Sequence, residues 1–254
     1  MKPETDRSLI SSYWRHAVIF LVVAGTLAAV FSRAPLGQDQ NYHELADRRS
    51  FLGIPNFADV ASNLGFLIAG LAGLTICLTR PLGRLRAAWI VTFTGITLLA
   101  AASAYYHLDP NDQTLVWDRM TLTIGFMGLF IGILGEYISE RFRSMLVPAV
   151  VIGAYSVLHW RWFDDLRLYY CVQLIPLLMI PLVMALFRPR YTHQWLLLVG
   201  AGWYALAKLA ELWDKFVFAA TGELVSGHTL KHIFAAAGCL SILLTLYKRK
   251  PVDL

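Results

Sequence analysis

Long runs of apolar residues, separated by short polar segments, occur along the whole chain. A helix needs about 20 consecutive apolar residues to cross the hydrocarbon core of a bilayer. Membrane strands are not expected, because the runs are too long and lack apolar/polar alternation. The pattern predicts an all-α, polytopic membrane helix bundle with eight spans, near 15–32, 58–78, 86–107, 115–138, 144–160, 168–187, 195–218 and 227–247.

The amino-acid composition is also typical of a protein that lies in a lipid bilayer. Of the 254 residues, 57% are hydrophobic and 15% are charged, whereas about a quarter of a soluble domain is charged. The net charge of +5 comes from short basic clusters between the apolar runs. That distribution is typical of cytoplasmic membrane loops and not of a groove that follows phosphates, so no nucleic-acid partner is expected.

The N-terminal region is expected to be an addition to a seven-helix core. Its apolar stretch ends near Phe31 without a convincing small-residue cleavage site before Arg33, so we expect a retained anchor helix and not a cleaved signal. The predicted domains are therefore 1–39, the N-terminal tail with the extra transmembrane helix, and 40–254, the seven-helix core. Three separated cysteines without a CxxC motif are expected to be small buried hydrophobic residues: Cys77, Cys171 and Cys239.

The basic residues predict the orientation in the membrane. Eight crossings place both termini on one side, and that side receives more than half of the basic residues, in compact clusters next to the spans. By the positive-inside rule this side is cytoplasmic. Its members are Lys2, Arg7, Arg15, Arg80, Arg84, Arg86, Arg141, Arg143, Arg188, Arg190, Lys248, Arg249 and Lys250.

Three polar motifs at span ends are candidates for chemistry, since ionisable residues at membrane depth are costly. Ser103 and His107 lie four residues apart at the end of the third span. Asp118 lies in the first turns of the fourth span, and His228 and His232 form an HxxxH at the start of the eighth. All three motifs fall on the outward side in the predicted topology.

Three imidazoles with an open position are typical of a catalytic zinc site, and zinc lowers the pKa of bound water to about 7. Each residue alone has a simpler interpretation. An HxxxH pattern also occurs by chance, and His107 could be an interfacial histidine. Asp118 could be a carboxylate favoured at a helix N-terminus, and Ser103 could be a packing residue in a membrane helix. Their joint placement favours metal binding. The remaining histidines are interpreted as interfacial: His16, His43, His159 and His193.

These motifs resemble those of the superfamily that contains alkaline ceramidases and the progestin and adipoQ receptors. Its pattern is SxxxH, then an Asp opening the next helix, then HxxxH in the last core helix. Segment 53–64, GIPNFADVASNL, is similar to the first-helix entry of bacterial ceramidase-like members. The resemblance covers about residues 40 to 247, and it implies a seven-helix fold in a bacterial plasma membrane.

The resemblance also implies roles. His107, His228 and His232 would be zinc ligands, Ser103 would hydrogen-bond the developing oxyanion, and Asp118 would transfer protons. The implied activity is hydrolysis of the amide of ceramide or another N-acyl lipid. The acidic, Trp-containing calcium motif of the eukaryotic enzymes is missing. Oxygen ligands for calcium exist, but solvated charges and a helix cap are the favoured interpretation: Asp39, Glu44, Asp47, Asn56 and Asp59.

A second polar set lies in the seventh span: Lys208, Glu211, Asp214 and Lys215. Pairing of Lys208 with Glu211 and of Glu211 with Lys215 is available along one helical face. Contact with the polar head of a substrate is the alternative. Two other functions stay open for the chain, a membrane receptor and a proton-coupled transporter, although the latter would more naturally show inverted repeats. The oligomeric state is not predicted.

Overall fold

The computed structural model describes the backbone of residues 5–252 and the side chains from residue 13 onward. Lys2 and the Arg7 side chain, which contribute to the predicted orientation, lie outside the described residues. Within them the chain is helical and contains no β-strand. Eight helical segments are long and apolar enough to cross a membrane. The predicted all-α polytopic bundle is confirmed.

Residues 5–252 form ten α-helices in succession. They are α1 (Thr5–Phe31), α2 (Phe57–Ser62), α3 (Leu64–Thr79), α4 (Arg86–Leu108), α5 (Asp112–Tyr137), α6 (Leu146–Phe163), α7 (Arg167–Leu186), α8 (Trp195–Leu212), α9 (Asp214–Ala220) and α10 (Gly227–Lys248). Short 3₁₀ turns precede α4 and α6, at Gly83–Leu85 and Glu140–Met145. The second predicted span consists of α2 and α3, with an interruption at Asn63.

The seventh predicted span, 195–218, is shorter than expected. Helix α8 ends at Leu212, because Trp213 leaves the helical region with φ −107° and ψ 29°. The chain then continues as the separate short helix α9. The carboxylate of Asp214 accepts the backbone N–H groups of Ala46 and His228, which fixes this break against two other parts of the chain.

Close helix contacts form the bundle. Helix α5 packs on α4, α6 and α7, while α10 packs on α8 and α3. The contact between α4 and α5 requires glycine, since a Cβ added at Gly95 would lie 2.4 Å from the backbone nitrogen of Gly125. Helix α1 lies against α7, outside the arrangement formed by the other spans.

A buried polar network lies at the end of the bundle where helices α5 and α10 end. Glu136 accepts a hydrogen bond from Trp89 Nε1 at 2.9 Å and another from Gln194 Nε2 at 3.0 Å. It also forms an ion pair with Arg249, and the two side chains are 2% and 5% exposed. This network joins α4, α5, the residue before α8 and the residue after α10. The three cysteines are free, and Cys77 and Cys171 are buried as expected, while Cys239 is partly buried.

Candidate metal centre

The three predicted histidines meet at the end of the bundle opposite Glu136. His107 lies in the last turn of α4, and His228 and His232 lie in the first two turns of α10. All three side chains are buried, with exposures of 1%, 4% and 2%. One nitrogen from each ring can be chosen so that all lie within 4.8 Å of one another. The structure therefore contains a buried histidine cluster that could hold a metal ion.

The spacing of two of the imidazole nitrogens matches that of two ligands on a tetrahedral ion. The Nε2 atoms of His107 and His232 are 3.3 Å apart. Two ligands at the usual zinc–nitrogen distance of 2.0–2.1 Å and a tetrahedral angle would be separated by about 3.3–3.4 Å. The ring centroids of the three histidines are 4.7–5.0 Å apart. In addition, His107 Nδ1 is buried without a hydrogen-bond partner among the described residues, so the chain alone does not satisfy this ring.

A hydrogen-bond chain orients His232. The Ser62 hydroxyl donates to the carbonyl oxygen of Asp59 at 2.9 Å. Its oxygen can then accept the Nδ1–H of His232, which lies 2.8 Å away. This arrangement leaves the His232 Nε2 without a proton and with its lone pair toward His107. Outer partners of this type fix the tautomer and direction of metal-binding histidines.

The start of α10 is held by two carboxylates, of Asp59 and Asp214. Asp59 is fully buried and accepts from Thr229 Oγ1 at 2.6 Å and from Ser226 Oγ at 3.3 Å. Ser226 caps α10 by accepting the backbone N–H of Thr229. Asp214 accepts the backbone N–H of His228 at 2.7 Å. These contacts position the HxxxH turn from α2 and α9, so the histidines do not depend on α10 alone for their placement.

Ser103 and Asp118 lie beside this cluster. Ser103 is buried one helical turn before His107, and its side chain is close enough to interact with the Asp118 carboxylate on α5. Both residues line the same internal cavity as His232. The structure thus brings together all five residues that the sequence singled out, on α4, α5 and α10. Their chemical roles stay predictions.

The loop between α1 and α2 closes this end of the bundle, which the sequence did not reveal. His43, expected to be interfacial, has its Nδ1 3.0 Å from the Tyr106 hydroxyl and its Nε2 3.1 Å from the Asp112 carboxylate. The Tyr42 hydroxyl donates to Glu211 at 3.1 Å. Burial, and then the negative charge of Glu211, raise the pKa of Tyr42 well above its usual value, so this phenol stays a donor.

A lysine–glutamate cluster borders the histidines. Glu211 pairs with Lys208 at 2.7 Å, as predicted, and with Lys231 of α10 at 2.8 Å. The predicted partner Lys215 pairs instead with Glu44 at 3.2 Å. The break at Trp213 separates α8 from α9, so Glu211 and Lys215 do not share a continuous helix. The Lys231 ammonium also lies 3.2 Å from His228 Nε2, which brings this cluster into contact with the histidines.

A cavity of 290 Å³ begins at this polar end and extends between the helices. Its polar lining includes Ser103, Asp118 and His232. Along α5 the lining continues from Asp118 to Ile133, a distance of about 22 Å at 1.5 Å per residue. Most of the side chains beyond the polar end are apolar. The cavity therefore has a polar head and a long apolar body.

The oxygen-bearing residues considered for calcium are not assembled into one site. Asp47 pairs with Arg49, whose guanidinium lowers the pKa of that carboxyl, and Glu44 pairs with Lys215. Asn56 donates to the carbonyl oxygen of His107 at 2.7 Å. Asp59 is buried against α10, although the sequence favours solvated charges for this group of residues. Each group has its own protein partner, and the arrangement adds no support for calcium.

The chain matches no protein-family model and no curated protein. The resemblance described above therefore rests on the ordered motifs and on segment 53–64.

Proposed function

We propose that this protein is an integral membrane, metal-dependent hydrolase that cleaves the amide bond of ceramide or a related N-acyl lipid, as a member of the alkaline ceramidase superfamily. One observation carries the proposal. Three buried imidazoles from α4 and α10 converge beside Ser103 and Asp118, at the polar end of a long apolar cavity. A purely structural histidine cluster would not need this cavity.

Zinc suits the donor set. Three neutral imidazoles without a thiolate, with room for a fourth ligand, are typical of catalytic zinc sites. When bound, the ion would supply an activated water at neutral pH and would polarise a carbonyl group. His107, His228 and His232 would hold it, and Ser62 would keep His232 in the required tautomer.

Side chains of the protein would carry out the remaining steps, which are stabilisation of the developing negative charge and proton transfer. Ser103 would donate a hydrogen bond to the oxygen on which negative charge develops during attack on an amide carbonyl. Asp118 would accept a proton from the attacking water and return it to the departing nitrogen. Their proximity lets the hydroxyl and the carboxylate act on neighbouring atoms of one amide group.

The cavity supports a lipid substrate. An amide at the histidine end would leave its acyl chain along the apolar lining that continues to Ile133. Transfer of each methylene from water to such a site is favourable by about 0.8 kcal/mol. The polar part of the lipid would then lie between the histidines and the loop that carries Tyr42 and His43.

Metal analysis and turnover test the proposal together. Purified protein should contain about one zinc per chain, and His228→Ala should abolish retention. Ser103→Ala should keep zinc but lower hydrolysis of N-acyl lipids about 10²- to 10³-fold, and Asp118→Asn about 10²- to 10⁴-fold. Ser156→Ala, a buried helix serine bonded only to Gly153, is the matched control. A metal-free preparation that remains active would refute the mechanism.

We further propose that the histidine end faces outward from a bacterial plasma membrane and that both termini are cytoplasmic, as the basic clusters predict. Single cysteines introduced at Asp112, near the histidines, and at Arg84, at the other end of α4, test this orientation. An impermeant thiol reagent applied to intact cells should label only the cysteine at position 112. Labelling of both positions from outside would refute the topology.

A further inference from the structure

Arg119 is a buried cation with an unused hydrogen-bond donor. It follows Asp118 on α5, is 7% exposed and lines the cavity. Its Nη2 donates to Gln38 Oε1 at 2.6 Å, whereas its Nη1 is buried and has no hydrogen-bond partner. Among the residues that the structure describes, it forms no ion pair. A guanidinium in this position has donor capacity that the protein leaves unused.

Three aromatic rings hold the guanidinium in place. Its Cζ atom lies 4.2 Å from the ring centroid of Trp160, 4.8 Å from that of Tyr169 and 5.8 Å from that of Tyr42. Cation–π contacts stabilise the charge without consuming its N–H groups. The cage therefore pre-organises the planar fork, which suits the two oxygens of a carboxylate or phosphate.

The charge balance of the cavity points to the same ligand chemistry. The cationic side chains in its lining are Arg119, Lys208 and Lys231, and the anionic ones are Asp118 and Glu211. Both lysines are engaged by Glu211. The lining thus carries one more cation than anions, before any metal is counted, and among the described residues Arg119 is the lining cation that forms no ion pair. An excess of positive charge at membrane depth is costly, and an anionic ligand would offset that cost.

The position of Arg119 in the cavity indicates that it contacts the head of the ligand and not its acyl chain. The apolar lining contributed by α5 begins at Leu122 and continues to Ile133, away from the histidines. Arg119 precedes all of it and lies at the polar end with Asp118. We propose that Arg119 binds an acidic group, a carboxylate or phosphate, on the head of the lipid. Its natural substrates are then N-acyl lipids with anionic heads.

This assignment rests on the proposed hydrolase function for turnover, but binding tests it separately. Zinc-loaded full-length protein in neutral detergent is titrated with N-oleoylglycine and N-oleoylethanolamine, which share the acyl chain and amide and differ in the carboxylate. Wild type should bind the glycine lipid about 10- to 100-fold more tightly, the range expected for a charge-assisted pair. Ceramide 1-phosphate against ceramide repeats the comparison with a phosphate.

Two variants of Arg119 distinguish a residue that binds the anionic head of the lipid from one that only stabilises the fold. Arg119→Met should remove the preference for the anionic lipid and leave ethanolamide binding within about twofold, while Arg119→Lys should retain part of the preference. Arg161→Met, an exposed arginine at the end of α6, should leave both affinities unchanged. Melting temperatures in the same detergent confirm that each variant is folded.

Several results would overturn the assignment. Equal binding of charged and neutral lipids by wild type removes the anionic subsite, and so does an equal loss of both in Arg119→Met. Free oleate that binds as tightly as N-oleoylglycine, and that loses affinity equally in Arg119→Met, assigns Arg119 to the fatty acid and not to the head. If neither amide is hydrolysed although the binding preference holds, the hydrolase proposal fails and the anionic site stands.

Discussion

Replacing Ser62 by alanine isolates the contribution of one hydrogen bond to the proposed zinc binding. Ser62 does not belong to the histidine cluster, but its oxygen lies 2.8 Å from His232 Nδ1. Its hydroxyl is committed to the Asp59 carbonyl, so the serine acts only as an acceptor toward the ring. In the variant, the Nδ1–H of a side chain that is 2% exposed loses its partner, and the ring is free to change tautomer or rotate.

The expected loss of zinc affinity in Ser62→Ala follows from the burial of the His232 ring. Leaving a buried donor unsatisfied costs about 1–3 kcal/mol. Loss of an outer partner of a metal-binding histidine typically weakens metal affinity about 10- to 100-fold, which is about 1.4–2.8 kcal/mol. The two ranges overlap. We therefore expect the zinc dissociation constant of Ser62→Ala to rise about 10- to 100-fold, while His232→Ala should lose zinc altogether.

Competition with a chelating dye of known zinc affinity measures this change in purified protein. Ser156→Ala serves as the control, because Ser156 is also a helix serine bonded to a backbone carbonyl, but at Gly153 of α6. The control should keep the wild-type affinity. An affinity within twofold of wild type in Ser62→Ala would show that Ser62 does not orient His232, and the tautomer argument would be wrong.

Three further predictions concern stability. Glu136→Gln leaves the buried Arg249 charge uncompensated and should destabilise the bundle by about 3–5 kcal/mol, measured as a lower melting temperature with unchanged zinc content. Arg167 lowers the pKa of Asp165 to about 2, below the usual value of about 3.9. The stabilisation is therefore present above about pH 4 and is lost toward pH 2, so melting temperatures of Asp165→Asn and wild type should differ at pH 7 and converge in acid. Gly95→Leu should separate α4 from α5 and lower both melting temperature and zinc affinity; unchanged values would contradict the close-contact argument.

The sequence predicts the bundle well because bilayer thickness sets the length of every apolar run. The same length rule makes successive helices run in opposite directions. It therefore places the end of α4 and the starts of α5 and α10 at one face. That alternation is enough to group His107, Asp118 and His228 before any packing is known.

The parts that sequence reasoning missed depend on contacts with no periodic signal. The loop residues Gln38, Tyr42 and His43 reach the site from an irregular segment, and no spacing rule relates them to α5 or α8. The exchange of partners at Glu211, from the expected Lys215 to Lys231, follows from the helix break at Trp213. Neither Pro nor Gly marks this break in the sequence, so a continuous helix was the natural expectation.

The histidine cluster also links distant parts of the chain. His107 and His232 are 125 residues apart and belong to α4 and α10, which are joined chiefly through α3. An ion shared by them would act as a cross-link, closing a long loop and reducing the entropy of the unfolded chain. Mass action adds stability as the free ion concentration rises. The lifetime of the folded bundle would then be coupled to the supply of the ion, so that metal starvation would deplete the protein itself as well as the proposed activity.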